Sequence, residues 1–281
     1  EIDFVPFYGG VFDAVVFAYL IGLTGAGIFI WLNNRASWVK YGFHNVLTQA
    51  FSRVWLDTAL VAGISGTMIG VLGITLHWDP NDYSIDNAYM GARIALITFI
   101  YGGILTGIGY ALCSEEIKIS YRLKPWQILF LSLVALFFIW SWMEFTGKTI
   151  EIIKLSFSFN IAKYYLICFL VVFLVGFLNR HEGTDSKITL ANNANVVAAL
   201  GGMAIGIFFW FVDGADLARS LDAIYLTATS LMLGCFAYLG IYLFTLYQGV
   251  SHKGNYQTKT WHFAEAAAFF VFLVFAPVGI T

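Results

Sequence analysis

The chain has 281 residues, of which 59% are apolar and 18% aromatic, while 11% are charged and the formal net charge is −2. A soluble protein would carry about a quarter charged residues, so this composition excludes an ordinary water-soluble domain. The small negative charge gives no footing for nucleic acid.

Several apolar runs exceed the roughly 18 to 20 residues that cross a bilayer. Inside lipid the backbone must satisfy its own hydrogen bonds, which selects helices. Uninterrupted apolar runs also lack the period-two alternation of a lipid-facing barrel. The expectation is an all-α polytopic membrane protein with eight spans, at 11–32, 57–78, 91–112, 126–145, 162–179, 195–212, 221–247 and 262–280. The first run has no basic region before it and no small-residue cleavage site after it, so it reads as a membrane helix and not a signal peptide. Residues 36–55 mix aromatic and basic side chains and read either as an amphipathic helix on the membrane surface or as a plain loop.

Loop charges orient these spans. One side receives Arg35, Lys40, Arg53, Lys118, Arg122, Lys124, Arg180, Lys187, Lys253 and Lys259; the other receives Arg93, Lys148, Lys154, Lys163 and Arg219. The positive-inside rule makes the first set cytoplasmic. Both termini and the acidic loop 79–87 then face outward, as in a bacterial inner-membrane protein. Trp78, Trp126, Trp142, Trp210 and Trp261 fall near span ends, where interfacial aromatics belong.

The chain also echoes itself. Segment 61-VAGISGTMIGV-71 aligns with 197-VAALGGMAIGI-207, and Thr98, Gly102 and Tyr110 align with Ser230, Gly234 and Tyr242. Spans two and three thus resemble spans six and seven, which implies a parallel repeat of two four-span halves, 1–145 and 146–281. Chance likeness between glycine-rich apolar strings is the competing account. Thr67 becomes Met203, so any ion-handling role falls to the first half.

Two patches carry the main functional signal, 63-GISGTMIG-70 and 95-ALITFIYG-102. Glycines let helix backbones approach closely in lipid, and threonines place hydroxyls where water is scarce. Gly63, Gly66, Thr67 and Gly70 share one helical face. Thr98, Gly102 and Thr106 follow at spacings of four, and Gly103-xxx-Gly107 adds a packing motif. Each set reads either as a small-residue packing face, with Thr67 bonding its own backbone, or as the wall of an ion path.

The ordered set GxxGTxxG, then 79-DP-80, then ALxTxxYG resembles the flagellar-stator and Tol/Ton motor proton-channel family (MotA, TolQ and ExbB), over about residues 57–113. That resemblance implies a ring of channel subunits around the single membrane helix of a partner that carries an essential Asp. It also implies that Thr67 and Thr98 line the ion path, and that Gly63, Gly66, Gly70 and Gly102 permit close helix contact. Unlike that family, which has a sizeable cytoplasmic region before these two helices, this chain has a loop of only about twenty-four residues, 33–56, before the second predicted span, and five further predicted spans follow the patches.

Charged residues inside a membrane are costly and often functional. Asp13, Asp57, Arg93, Glu144 and Glu265 lie near span ends, where each can also reach the interface. Asp57 is the proton-relay candidate, because it shares a helix with Thr67. Asp213, Asp216 and Asp222 read as a solvated outward cluster. His44, His77, His181, His252 and His262 show no ligand spacing, so no haem or metal is expected. Cys113, Cys168 and Cys235 read as small buried hydrophobes. No catalytic motif, cofactor loop or nucleophile elbow is present, so the chain is not expected to be an enzyme.

The leading expectation is therefore a proton- or sodium-conducting motor-type channel subunit, in a homo- or hetero-oligomer with a single-span partner. Valine at Thr67 and Thr98 should then abolish flux. A non-catalytic accessory subunit holding lipids or pigments, and a secondary transporter, are the two alternatives.

Overall fold

The computed structural model describes residues 14–76, 85–114, 116–145, 161–179, 184–213 and 217–249, and every regular element within them is a helix. These are α1 (Ala14–Asn33), α2 (Arg35–Tyr41), α3 (Phe43–Leu76), α4 (Ile85–Leu112), α5 (Pro125–Phe145), α6 (Ile161–Asn179), α7 (Thr184–Asp213) and α8 (Leu217–Gln248). By length and composition, Phe43–Leu72, Lys187–Phe208 and Ala223–Gln248 are apolar and long enough to cross a membrane. Ile97–Leu112, Pro125–Phe137 and Tyr165–Val175 are shorter apolar helical stretches. The last predicted span, 262–280, lies outside the described residues, as do loop residues 79–84, Asp13, Glu265, Asp216, His77, His181, His252 and His262.

Helix α3 is the hub. Every residue from Thr58 to Met68 is buried, as expected of a helix enclosed on all sides. It packs against α4, α1 and α8, while α7 packs on α8 and α6 on α7. The core joins Ile30, Val54, Ile64, Met68 and Leu72 to Leu231 and Cys235.

The helix begins earlier than the sequence reading placed it. Residues 36–55 do not form one surface helix. Gly42, at φ 86°, ends α2 in a conformation that suits a residue without Cβ. From Phe43 the chain runs straight on into the span, because Val46, Ala50 and Val54, at spacings of four, are fully buried. Trp31, Trp38 and Phe43 pack around this turn, with Trp31 4.8 Å from Trp38 and 4.9 Å from Phe43 between ring centroids.

Helix α7 likewise starts at Thr184 and takes in the polar run 191-ANNAN-195. Asn195 is satisfied inside the bundle. Its amide donates to the Gly234 carbonyl at 2.8 Å, and its oxygen accepts the Tyr165 hydroxyl. Cys168 is exposed on α6, unlike buried Cys235, and so departs from the expectation of a buried hydrophobe.

Residues 113–114 and 116–124 belong to a strap across one end of the bundle. Asn34 holds it like an opposing strand residue: its oxygen accepts Ser120 N–H at 2.8 Å, and its amide donates to Ser120 and Ile30 carbonyls at 2.5 and 2.8 Å. Leu123 N–H donates to the Leu246 carbonyl of α8 at 2.8 Å. Pro125 opens α5, where a missing N–H costs nothing, and Gln127 reaches back to Lys124 N–H at 2.8 Å. Replacing Asn34 with Ala is expected to cost about 1 to 3 kcal/mol and to raise amide exchange across 116–123 while the helices persist. Unchanged exchange would show that the strap is held elsewhere.

Candidate functional site

The two glycine–threonine patches meet along the α3–α4 seam, where the helices run antiparallel. A Cβ at Gly66 would stand 2.7 Å from Thr98 Cβ. At Gly63 it would stand 3.0 Å from Gly102 Cα and the Thr98 carbonyl, and at Gly102 it would stand 2.8 Å from the Ala59 carbonyl and Gly63 Cα. The seam extends to Gly109, a position the sequence reading did not single out. A Cβ there would lie 2.7 Å from the Ser52 carbonyl. On α3 the contact positions 52, 56, 59, 63 and 66 alternate by four and three, the spacing of a left-handed helix pair.

Thr67 and Thr98 are both buried. The Thr67 hydroxyl donates to the Gly63 carbonyl at 2.9 Å, and Thr106 donates to Gly102 at 2.8 Å. Gly70 is buried on α3. Gly103 and Gly107 differ: a Cβ at either meets nothing within 4 Å. Their expected packing partner is absent among the described residues of this chain, and they form an open small-residue face on α4.

A corresponding seam joins α7 and α8. Gly202 faces Ser230, and a Cβ at Gly234 would stand 2.6 Å from Ala199 Cβ.

Below the first seam lies a polar ladder. Gln49, Arg53 and Asp57 follow one another at spacings of four, so they share a face of α3. Arg53 Nε lies 3.2 Å from Asp57 Oδ2, with side-chain exposures of only 18% and 10%. Asp57 sits about 21 Å along α3 from Phe43, at 1.5 Å per residue. The Tyr238 hydroxyl of α8 donates to the Asp57 carbonyl at 2.7 Å. The Tyr242 ring stacks with Tyr238, its centroid 6.5 Å away. Tyr242 is within electrostatic reach of Asp57 and Arg53, and its buried hydroxyl has no hydrogen-bond partner among the described residues.

At the Gln49 end of the ladder, Gln49 accepts Ser114 N–H at 2.8 Å and donates to the Tyr121 hydroxyl at 3.3 Å. Burial pushes the Tyr121 phenol up to about 12, against the opposing pull of the Gln49 bond and Arg53. It therefore stays neutral near pH 7. The strap thus closes the ladder with an uncharged ring.

The sequence reading singled out Asp57 and treated Arg53 as a loop charge. It missed Gln49, Tyr238 and Tyr242. The four-residue spacing of Gln49, Arg53 and Asp57 is a visible signal; the tyrosines come from a helix about 180 residues away, and the repeat that aligns Tyr242 with Tyr110 does not place it beside Asp57. Among the described residues, no three His, Cys, Asp or Glu side chains gather as a metal site would need.

No protein family, curated protein or solved structure matches the chain.

Proposed function

We propose that this chain is an ion-conducting subunit of a membrane assembly, of the motor-channel kind that the two patches resemble. Asp57 is the group that takes up and releases a proton or coordinates sodium. The observation that carries this reading is the Arg53–Asp57 pair, held within a helix long and apolar enough to span. An ionised pair in such a place is expensive to desolvate and is retained where it has work to do. Arg53 neutralises the carboxylate at rest, and Tyr238 fixes the backbone that carries it.

The proposal includes eight spans in two parallel four-span halves, with both termini on the outer side of a bacterial inner membrane. The paired seams support the repeat. Aligned residues make corresponding contacts: Gly66 with Thr98 and Gly202 with Ser230, then Gly63 with Gly102 and Ala199 with Gly234.

In this reading Thr67 and Thr98 hold the seam. Valine at both keeps the shape of each side chain and removes only the hydroxyls. The T67V/T98V protein is expected to fold and to retain most of its proton or sodium flux in proteoliposomes. Flux lost with folding intact would move the route to the seam, as the family resemblance implies.

A non-catalytic accessory role in a larger complex is the second reading, compatible with the open Gly103–Gly107 face. That face suits a single-span partner helix under either reading. Intact mass of the native assembly separates them. A ring of copies around a partner with a membrane Asp supports conduction, and a single copy among unlike subunits supports the accessory role.

A further inference from the structure

An open cavity of about 830 Å³ lies where the strap crosses the ends of α1 and α5. Its lining includes three basic side chains from separate places, Arg35 at the start of α2 and Arg122 and Lys124 on the strap. No acidic residue lines it among the described residues. The opposite wall is apolar, with Phe29, Leu32 and Trp126.

The backbone beneath these charges is fixed before any ligand arrives. Asn34 clamps Ser120, Asn33 donates to the Arg122 carbonyl at 3.2 Å, and Gln127 holds Lys124 N–H. The three basic residues are exposed to solvent and no acidic residue shares the lining, so the cavity's charge complements an anion. The apolar wall continues down the α1–α5 groove. Phe29 makes edge contacts with Trp126 at 5.3 Å and Phe130 at 5.9 Å. Phe130, Leu133 and Phe137 are exposed beyond it. A free phosphate would use only the basic half of this site; an amphiphile uses both.

We infer that this cavity binds an anionic phospholipid, its phosphate between Arg35, Arg122 and Lys124 and its acyl chains along the Phe29–Phe130 groove. Basic pockets between membrane helices bind such headgroups by direct charge pairing, and arginine adds forked hydrogen bonds to phosphate. The site stands whether or not Asp57 carries ions.

The test uses the full chain in neutral detergent, with phosphatidylglycerol, phosphatidylcholine or inorganic phosphate added. Native mass spectrometry reads retention and thermal unfolding reads stabilisation. Phosphatidylglycerol is expected to be retained and to raise Tm, with phosphatidylcholine and phosphate giving little. The R35Q/R122Q/K124Q variant should bind phosphatidylglycerol on the order of a hundredfold more weakly. A charge-keeping R35K/R122K variant should retain binding, which separates loss of charge from loss of fold. Equal retention of phosphatidylcholine, or undiminished binding in the neutralised variant, would overturn the assignment. Stabilisation by inorganic phosphate equal to that by the lipid would also overturn it, in favour of a soluble anion.

Discussion

Asp57→Asn is expected to abolish ion flux while leaving the protein folded. Asn keeps the size of the side chain and can still accept from Arg53, but it cannot bind and release a proton. Arg53→Gln should behave differently. It leaves a carboxylate at 10% exposure with its charge partner gone, and breaking a buried pair from one side costs about 3 to 5 kcal/mol. The contribution of the pair as a helix pair is small, because a basic residue four positions before an acidic one is the weaker order. The cost therefore comes from burial. The double variant R53Q/D57N removes both charges and should recover most of the stability lost in R53Q, without recovering flux. Thermal unfolding of the four proteins, with flux measured alongside, completes the cycle. Flux at the native level in D57N with intact folding would sink the conduction proposal.

The second large effect is steric. Gly102→Val is expected to unfold the protein or separate α3 from α4, with Tm falling sharply. The new Cβ would stand 2.8 Å from the Ala59 carbonyl and from Gly63 Cα. Both are backbone, so no rotamer change relieves the clash. Gly66→Ala meets a side chain instead, Thr98 at 2.7 Å, and Thr98→Gly should rescue it by returning the missing volume. Gly103→Val, on the open face of the same helix, should leave Tm unchanged and disturb only assembly. Equal loss at 102 and 103 would mean that the helix tolerates no β-branched residue, and the seam would lose its special standing.

Much of this was legible in the chain. The glycines at 63, 66 and 102 announced close helix contact, and the structure places them in one seam. The pattern was less complete at Gly103 and Gly107, because spacing alone does not say which side of a helix meets a neighbour. Helix lengths were underestimated for a common reason. Gln49, Arg53 and Asn192 look like loop residues by polarity, yet Gln49 and Arg53 find partners within the bundle. Hydropathy cannot register a bond formed with Tyr121 or Asp57. The repeat aligns Tyr242 with Tyr110, but the placement of Tyr238 and Tyr242 around Asp57 was not legible, since they come from the other half of the chain.

Helix α8 is anchored twice to the rest of the protein, through Tyr238 on the Asp57 carbonyl and through the Leu246 carbonyl on the strap. The two anchors are eight residues apart, about 12 Å along the axis. A single inserted residue between them would turn one anchor by about 100° relative to the other. The number of residues between the anchors is therefore constrained apart from their identity. The same stretch of helix runs from the Arg53–Asp57 pair, which it touches through Tyr238, to the basic cavity, whose lining includes Tyr247.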